Sequence, residues 1–502
     1  MRFPRPLTTT VLFLLLCHAH AAWGCYAVIV GRKASADGSV LVGHLEQNHG
    51  RRVLNFRRIP RQQFPEGSVV RLRRGGMLPQ VAETAAVLWT QNPGLEFSDA
   101  YLNEYGVAIV SDGCPTREDD YETLVRRGEI RDGGIGLMLR RLVAQRARSA
   151  REGVEIAGKL LDRFGYVDFG RTYAIADPRE AWLLSVVRGR HWVACRVHDD
   201  AVVLLPNVHI IGEVGDCPDF RATMLRMVPE MGLSPSAPSA AHCLASPDLI
   251  DYAASRGWFD PKAGKPFRFA KAYAAARDDA PDPRQWRGQV LVTGAKETWP
   301  PSRPLPFSVK PARPMTLAAV MAILRDTAGP VALSMPQTQE GAVFQLRGDM
   351  PPEIGCVYWR ATAEPATSVF TPWYVGITET PGDYCRPVEI KTQLSLEYQF
   401  QPPPGTLDRD AKLAWWTFKD LQDLVHEDDA ARTRRVQEVW TAMGKRILAD
   451  QEAVEKKALA LWQTDRRKAQ EFLTQHCARL AAQARQEAEK LIAAFRGQAA
   501  VG

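Results

Sequence analysis

The sequence lacks most of the short patterns that would reveal its chemistry directly. Among its 502 residues there is no GxxxxGK[ST] phosphate loop, no HExxH zinc-binding helix and no GxSxG turn around a nucleophilic serine. Phosphate-loop nucleotide hydrolysis, HExxH metalloprotease chemistry and the serine α/β-hydrolases are thereby disfavoured. No two of the nine cysteines stand in a CxxC pair, so zinc ribbons and thioredoxin-like redox sites have no support. Long apolar runs are missing too. Arg2 and Arg5 precede the stretch Val11 to Leu16 and the small residues Ala19 to Ala22, the layout of a secretory leader. That stretch is far short of the roughly 20 residues that span a bilayer, and no later segment supplies a longer uncharged one. The expectation is a leader over residues 1–24 that is removed, no integral membrane segment, and a secreted or periplasmic product.

Basic charge is present but not concentrated. The formal net charge of +7 falls to about +5 once the two leader arginines are gone. The cluster Arg71-Leu72-Arg73-Arg74 is too short to form a nucleic-acid stripe, and no nucleic-acid partner is expected. His44 and His49 flank Glu46 and Gln47, but five residues of separation align them on neither a helix nor a strand, so no metal ligand pair is expected there.

What is present is a composition able to bury a large core, 45% hydrophobic and 24% charged. Tyr26 to Val30 and Ser39 to Gly43 read as an opening β-hairpin around the turn signal Ala36-Asp37-Gly38. Further strand-like runs follow, from Thr84 to Trp89, Gly106 to Val110, Thr172 to Ala176, Trp182 to Val187, Trp192 to Val197 and Ala201 to Leu205. Three more come late, from Ala342 to Leu346, Cys356 to Arg360 and Ser368 to Tyr374. Helical periodicity covers 136–164, dividing near Ser149 and stopping at Gly165. Ser246-Pro247-Asp248 and Thr316 read as helix starts. Strands, then helices, then strands suit an α+β layered domain over 25–400. After Pro402-Pro403-Pro404-Gly405 the chain turns proline-free with apolar spacings of three and four, and 401–502 reads as a helical region packed on or extending from the main domain.

Cys25 draws together three features: it follows the small Gly24, it lies at the leader boundary, and it begins a strand. Cleavage there would expose its α-amine, and the ordinary pKa of such a group, about 7.7 to 8.0, leaves much of it an unprotonated base near neutrality. Nucleophile and general base would then share one residue. The amine accepts the thiol proton, sulfur attacks an amide carbonyl, and water later hydrolyses the thioester. Asn103 and Asn207 are candidates to stabilise the tetrahedral oxygen or orient the amine. With Cys25 free, the other seven cysteines of the mature chain cannot all pair.

The run from Cys25 to Ser39 resembles the opening of the cysteine-type dipeptidase family (dipeptidase A), relatives of the secernins within the N-terminal nucleophile hydrolases. Asn103-Glu104-Tyr105-Gly106, Ala150-Arg151-Glu152-Gly153, Pro206-Asn207, Phe344-Gln345-Leu346-Arg347 and Pro372-Trp373-Tyr374 continue it in the same order. The resemblance implies a four-layer αββα sandwich of antiparallel sheets and hydrolysis of small peptides with no cofactor. Where the family has a basic-to-acidic pattern that orients the nucleophile, this chain has His44 and Gln47, and Gln47 cannot supply a carboxylate's charge. Arg347 is a candidate to bind a substrate carboxylate. A penicillin-acylase-like amidase, an inactive peptide-binding homologue and a lipid-anchored scaffold are the competing readings; the number of subunits stays open, a homo-oligomer included.

Overall fold

The computed structural model describes residues 24–48, 52–93, 100–212, 242–275, 281–301, 304–328, 331–386, 404–427 and 430–499. Residues 1–23, all of the expected leader but Gly24, lie outside them. Tyr26–Val30 (β1) and Val40–Gln47 (β2) form the expected hairpin, with Ala27 opposite His44. β2 runs past Gly43, so His44 and Gln47 sit on the strand itself.

In chain order the remaining main strands are Asn55–Ile59 (β3), Val87–Gln91 (β4), Tyr101–Asn103 (β5), Ala108–Gly113 (β6), Arg171–Ala176 (β7), Ala181–Val186 (β8), Trp192–Arg196 (β9), Val202–Leu205 (β10), Cys243–Ala245 (β11), Thr338–Leu346 (β12), Cys356–Thr362 (β13) and Phe370–Tyr374 (β14). They build a six-stranded sheet, β10-β1-β2-β12-β13-β14, and an eight-stranded sheet, β11-β9-β8-β7-β6-β5-β4-β3. Neighbouring strands pair antiparallel throughout both.

The two sheets face one another, and period-two alternation decides what each side chain meets. On β7, Ala174 and Ala176 join the core between the sheets, whereas Tyr173 and Ile175 join a second core under Met138–Arg146 (α1) and Ala150–Phe164 (α2). On the far side, Pro283–Thr293 (α3) and Leu317–Ile323 (α4) cover the six-stranded sheet, α4 packing on β2 and β12. The order of layers is helix, sheet, sheet, helix: the αββα sandwich.

Local signals explain the helix ends. Ser149 caps α2 by accepting from Glu152 N, and Gly165 ends it at a φ of 73°. Thr316 caps α4 the same way, through Ala319 N. Ser246 differs from expectation: the helix starts at Leu249 behind Asp248, while the Ser246 hydroxyl bonds the backbone of Trp192 across the sheet.

The helical tail consists of Ala414–His426 (α5), Ala430–Thr464 (α6) and Arg466–Ala499 (α7). It packs on β13 and β14, and its indoles bind the main domain, Trp415 Nε1 donating to Gln339 O at 3.0 Å and Trp440 Nε1 to Thr367 O at 2.9 Å. No helix among the described residues is long and apolar enough to cross a membrane.

Candidate active site

Cys25 immediately precedes β1 and is 6% exposed. Two buried side chains meet it from different sheets: His44 from β2 and Asp112 from β6. One ligand-type atom from each of the three lies within 4.8 Å of the others, and His44 Nε2 stands 3.7 Å from Asp112 Oδ1. Burial raises the Asp112 carboxyl above its ordinary range, while His44, Arg284 and Arg171 pull it back.

A guanidinium approaches from the other side. Asp282 caps α3 through the Arg284 and Gln285 amides, which fixes Arg284 in the first turn. Arg284 Nη1 donates to Gly24 O at 2.7 Å and Cys25 O at 3.1 Å, and to Asn207 Oδ1 at 3.3 Å; Nη2 donates to Gln47 Oε1 at 2.7 Å. Its carbon centre lies 5.1 Å from the Tyr26 ring centroid. α3 can come this close because of Gly288, where a Cβ would meet the Tyr26 hydroxyl at 1.9 Å. Burial lowers the Arg284 pKa from its usual value, with Asp282, Tyr26, Asp112 and Cys25 opposing.

His44 and Gln47 therefore serve the site from opposite faces of β2. Gly43 faces α4, where a Cβ would meet Val320 Cγ1 at 2.8 Å; His44, one residue on, faces Asp112 in the other sheet. Gln47 falls on the helix side and orients Arg284. Its Nε2 donates to Leu333 O at 2.8 Å and to Thr338 Oγ1 at 2.9 Å, two bonds an ionised carboxylate could not make.

Asn207 is also placed here. It donates to Gly113 O at 3.0 Å and accepts from Arg284, and its carboxamide lies so close to Gly24 that a Cβ on residue 24 would meet Asn207 Oδ1 at 2.3 Å.

Two expected site residues lie elsewhere. Asn103 Nδ2 donates to Ala144 O and Ala147 O at 2.9 and 2.7 Å, and its Oδ1 accepts from Tyr105 N and Val107 N at 3.0 and 2.9 Å. All its bonding positions are spent tying a tight turn to the end of α1, on the side of the eight-stranded sheet away from Cys25. Arg347 forms a two-point pair with Glu455 of α6, at 2.7 and 2.5 Å, so the carboxylate it binds belongs to the tail. Asp112 and Arg284 are the residues that sequence reasoning missed. The Asp282-Pro283 helix start in front of Arg284 was a readable signal for the helix but none for the role.

A cysteine at the head of an inner strand in a four-layer antiparallel sandwich is the arrangement of an N-terminal nucleophile hydrolase of the cysteine type. The chain belongs to peptidase family C69, which it matches over residues 24–328. It is 26% identical over 396 residues to a probable dipeptidase of Salmonella dublin, covering 74% of this chain and 85% of that one. It is 22% identical over 484 residues to a probable dipeptidase B of Streptococcus pyogenes serotype M1, covering 90% and 88%. Penicillin V acylase from Agrobacterium tumefaciens aligns at 11% identity and a TM-score of 0.33, over 70% of this chain and 86% of that one, too loosely to bear on its chemistry.

Proposed function

We propose that this peptidase is an exported dipeptidase that hydrolyses small peptides through a thioester on Cys25, exposed as the N-terminal residue by cleavage after Gly24. The observation that carries this reading is the convergence on Cys25 of an imidazole, a carboxylate and a guanidinium. The dipeptidase relatives support the substrate class, and the leader-like residues 1–24 support export to a secreted or periplasmic location.

In the mature protein the α-amine takes the thiol proton as sulfur adds to the peptide carbonyl. Collapse breaks the C–N bond, and the ammonium returns that proton to the departing amine. Water then attacks the thioester, giving one proton to the α-amine and from there to the leaving sulfur. The space that Gly24 fills is bounded by Asn207 and Arg284, so its departure opens room for an acyl group beside donors suited to a tetrahedral oxyanion.

The test is an intact mass and N-terminal sequence of the secreted protein, followed by a dipeptide panel and labelling with a thiol-reactive peptide electrophile. A Cys25 terminus, dipeptide turnover and labelling at Cys25 are expected, with turnover lost in Cys25→Ser. Cys114, Cys195, Cys356 and Cys477 should stay unlabelled, since burial pushes each thiol up to about 12. An Ala22 terminus or an acylated Cys25 in the active form would overturn the reading.

A further inference from the structure

We propose that Cys25, His44 and Asp112 form a binding site for one divalent transition-metal cation of the zinc type, and that its occupancy withholds the nucleophile. The binding stands on the geometry alone; its inhibitory consequence rests on the function proposed above.

The three donors are a thiol, an imidazole and a carboxylate, a set that suits zinc and its neighbours in the transition series. Hard cations such as calcium and magnesium take many oxygen ligands, and this cluster offers a single carboxylate. One donor atom from each residue lies within 4.8 Å of the other two. The His44–Asp112 separation of 3.7 Å is longer than a hydrogen bond but short enough for both atoms to reach one ion.

Asp112 supplies the second, independent sign. It is fully buried, and neither carboxylate oxygen has a hydrogen-bond partner among the described residues. Burying such a carboxylate is costly, and a cation set directly on its oxygens would add to the partial compensation that His44, Arg284 and Arg171 already give. The donors are also well fixed, since they come from the start of β1, the middle of β2 and the end of β6. In the mature chain the α-amine stands on the same residue as the thiol and could add a fourth donor.

Binding needs no redox partner: a metal–sulfur bond forms, the S–H bond breaks, and the proton leaves to solvent. With its sulfur lone pair committed to the ion, Cys25 cannot add to a carbonyl.

The experiment uses the full mature chain, stripped with a chelator and titrated first with Co²⁺ and then with Zn²⁺. A near-ultraviolet thiolate-to-cobalt band that saturates at one ion per chain and is displaced by zinc is expected. Cys25→Ser should lose the band, and Asp112→Asn should weaken zinc binding by about tenfold or more, with folding checked by circular dichroism. Absence of the band in the wild-type chain, which needs no variant, overturns the site, as does unchanged zinc affinity in both folded variants. Dipeptide hydrolysis should fall in step with occupancy and return with chelator. A chain that binds the ion at Cys25 yet turns over no peptide when stripped supports the site and counts against the dipeptidase reading. A chain that hydrolyses peptides but binds no ion overturns the site alone.

Discussion

Arg284 Nη1 lies 2.7 Å from the carbonyl oxygen of Gly24, the carbonyl of the bond whose cleavage would free the Cys25 amine. The same nitrogen reaches Cys25 O at 3.1 Å, so one guanidinium holds the backbone on both sides of that bond. Arg284→Met should lower kcat/KM for a dipeptide by about tenfold to a hundredfold, the scale of one or two charged hydrogen bonds. Arg284→Lys should recover little, because a point charge cannot bridge Gln47, Asn207 and the Cys25 carbonyl together. Steady-state kinetics on folded variants decides it; an unchanged kcat/KM in Arg284→Met would remove Arg284 from the working site.

Gly24→Val should hold the protein in its longer form. A side chain at residue 24 would collide with the Asn207 carboxamide, beginning with a Cβ to Oδ1 distance of 2.3 Å. The junction would then leave its cradle beside Arg284. Mass spectrometry of the secreted product should show accumulated precursor, and processing at the normal rate would mean that this contact plays no part in leader removal.

Asn103→Ala should affect stability rather than the catalytic step. Four backbone groups lose their partner at a fully buried position, a loss of about 3 kcal/mol when relaxation satisfies some of them. Denaturant unfolding should show that loss while kcat of the folded fraction stays near the wild-type value. A collapse of kcat without destabilisation would return Asn103 to the chemistry.

The contrast between Asn103 and Asn207 shows how far the sequence could be read. Both were polar residues in recognisable blocks, and only three-dimensional placement separated a turn anchor from a site residue. Cys25 was legible because the expected leader boundary, a small preceding residue and a strand start coincide in the chain. The layered fold was legible through the strand runs and the Ser149 break between α1 and α2. Asp112 and Arg284 were not, since they lie far from Cys25 in the chain and are brought to it only when the second sheet and α3 close over β1. Arg347 misled for a related reason: its partner, Glu455, arrives from a tail more than a hundred residues away.

Acid should weaken the fold partly through His209. It is buried with Nδ1 3.3 Å from Thr172 Oγ1, and burial holds its pKa down to about 3 against an ordinary 6.5. Between those values the unfolded chain takes up a proton that the native chain refuses. The stability this group contributes is therefore complete above pH 6.5 and is lost as pH falls toward 3, with a slope of up to about 1.4 kcal/mol per pH unit. Folded His209→Gln should show a flatter decline in urea unfolding over that interval; an identical slope would mean that other groups govern the acid limb.

β2 gives the site a particular vulnerability. Its even-numbered position 44 looks into the space between the sheets and its odd-numbered position 47 looks toward α3, so one strand is a wall shared by two chambers. A point change in this wall is felt first in a single chamber. Inserting or deleting one residue would exchange the chambers, sending imidazole toward helix and amide toward carboxylate, and the pairing with Ala27 and Ala342 would have to be rebuilt as well. The length of this strand is thus as much a part of the catalytic apparatus as the identity of any residue on it.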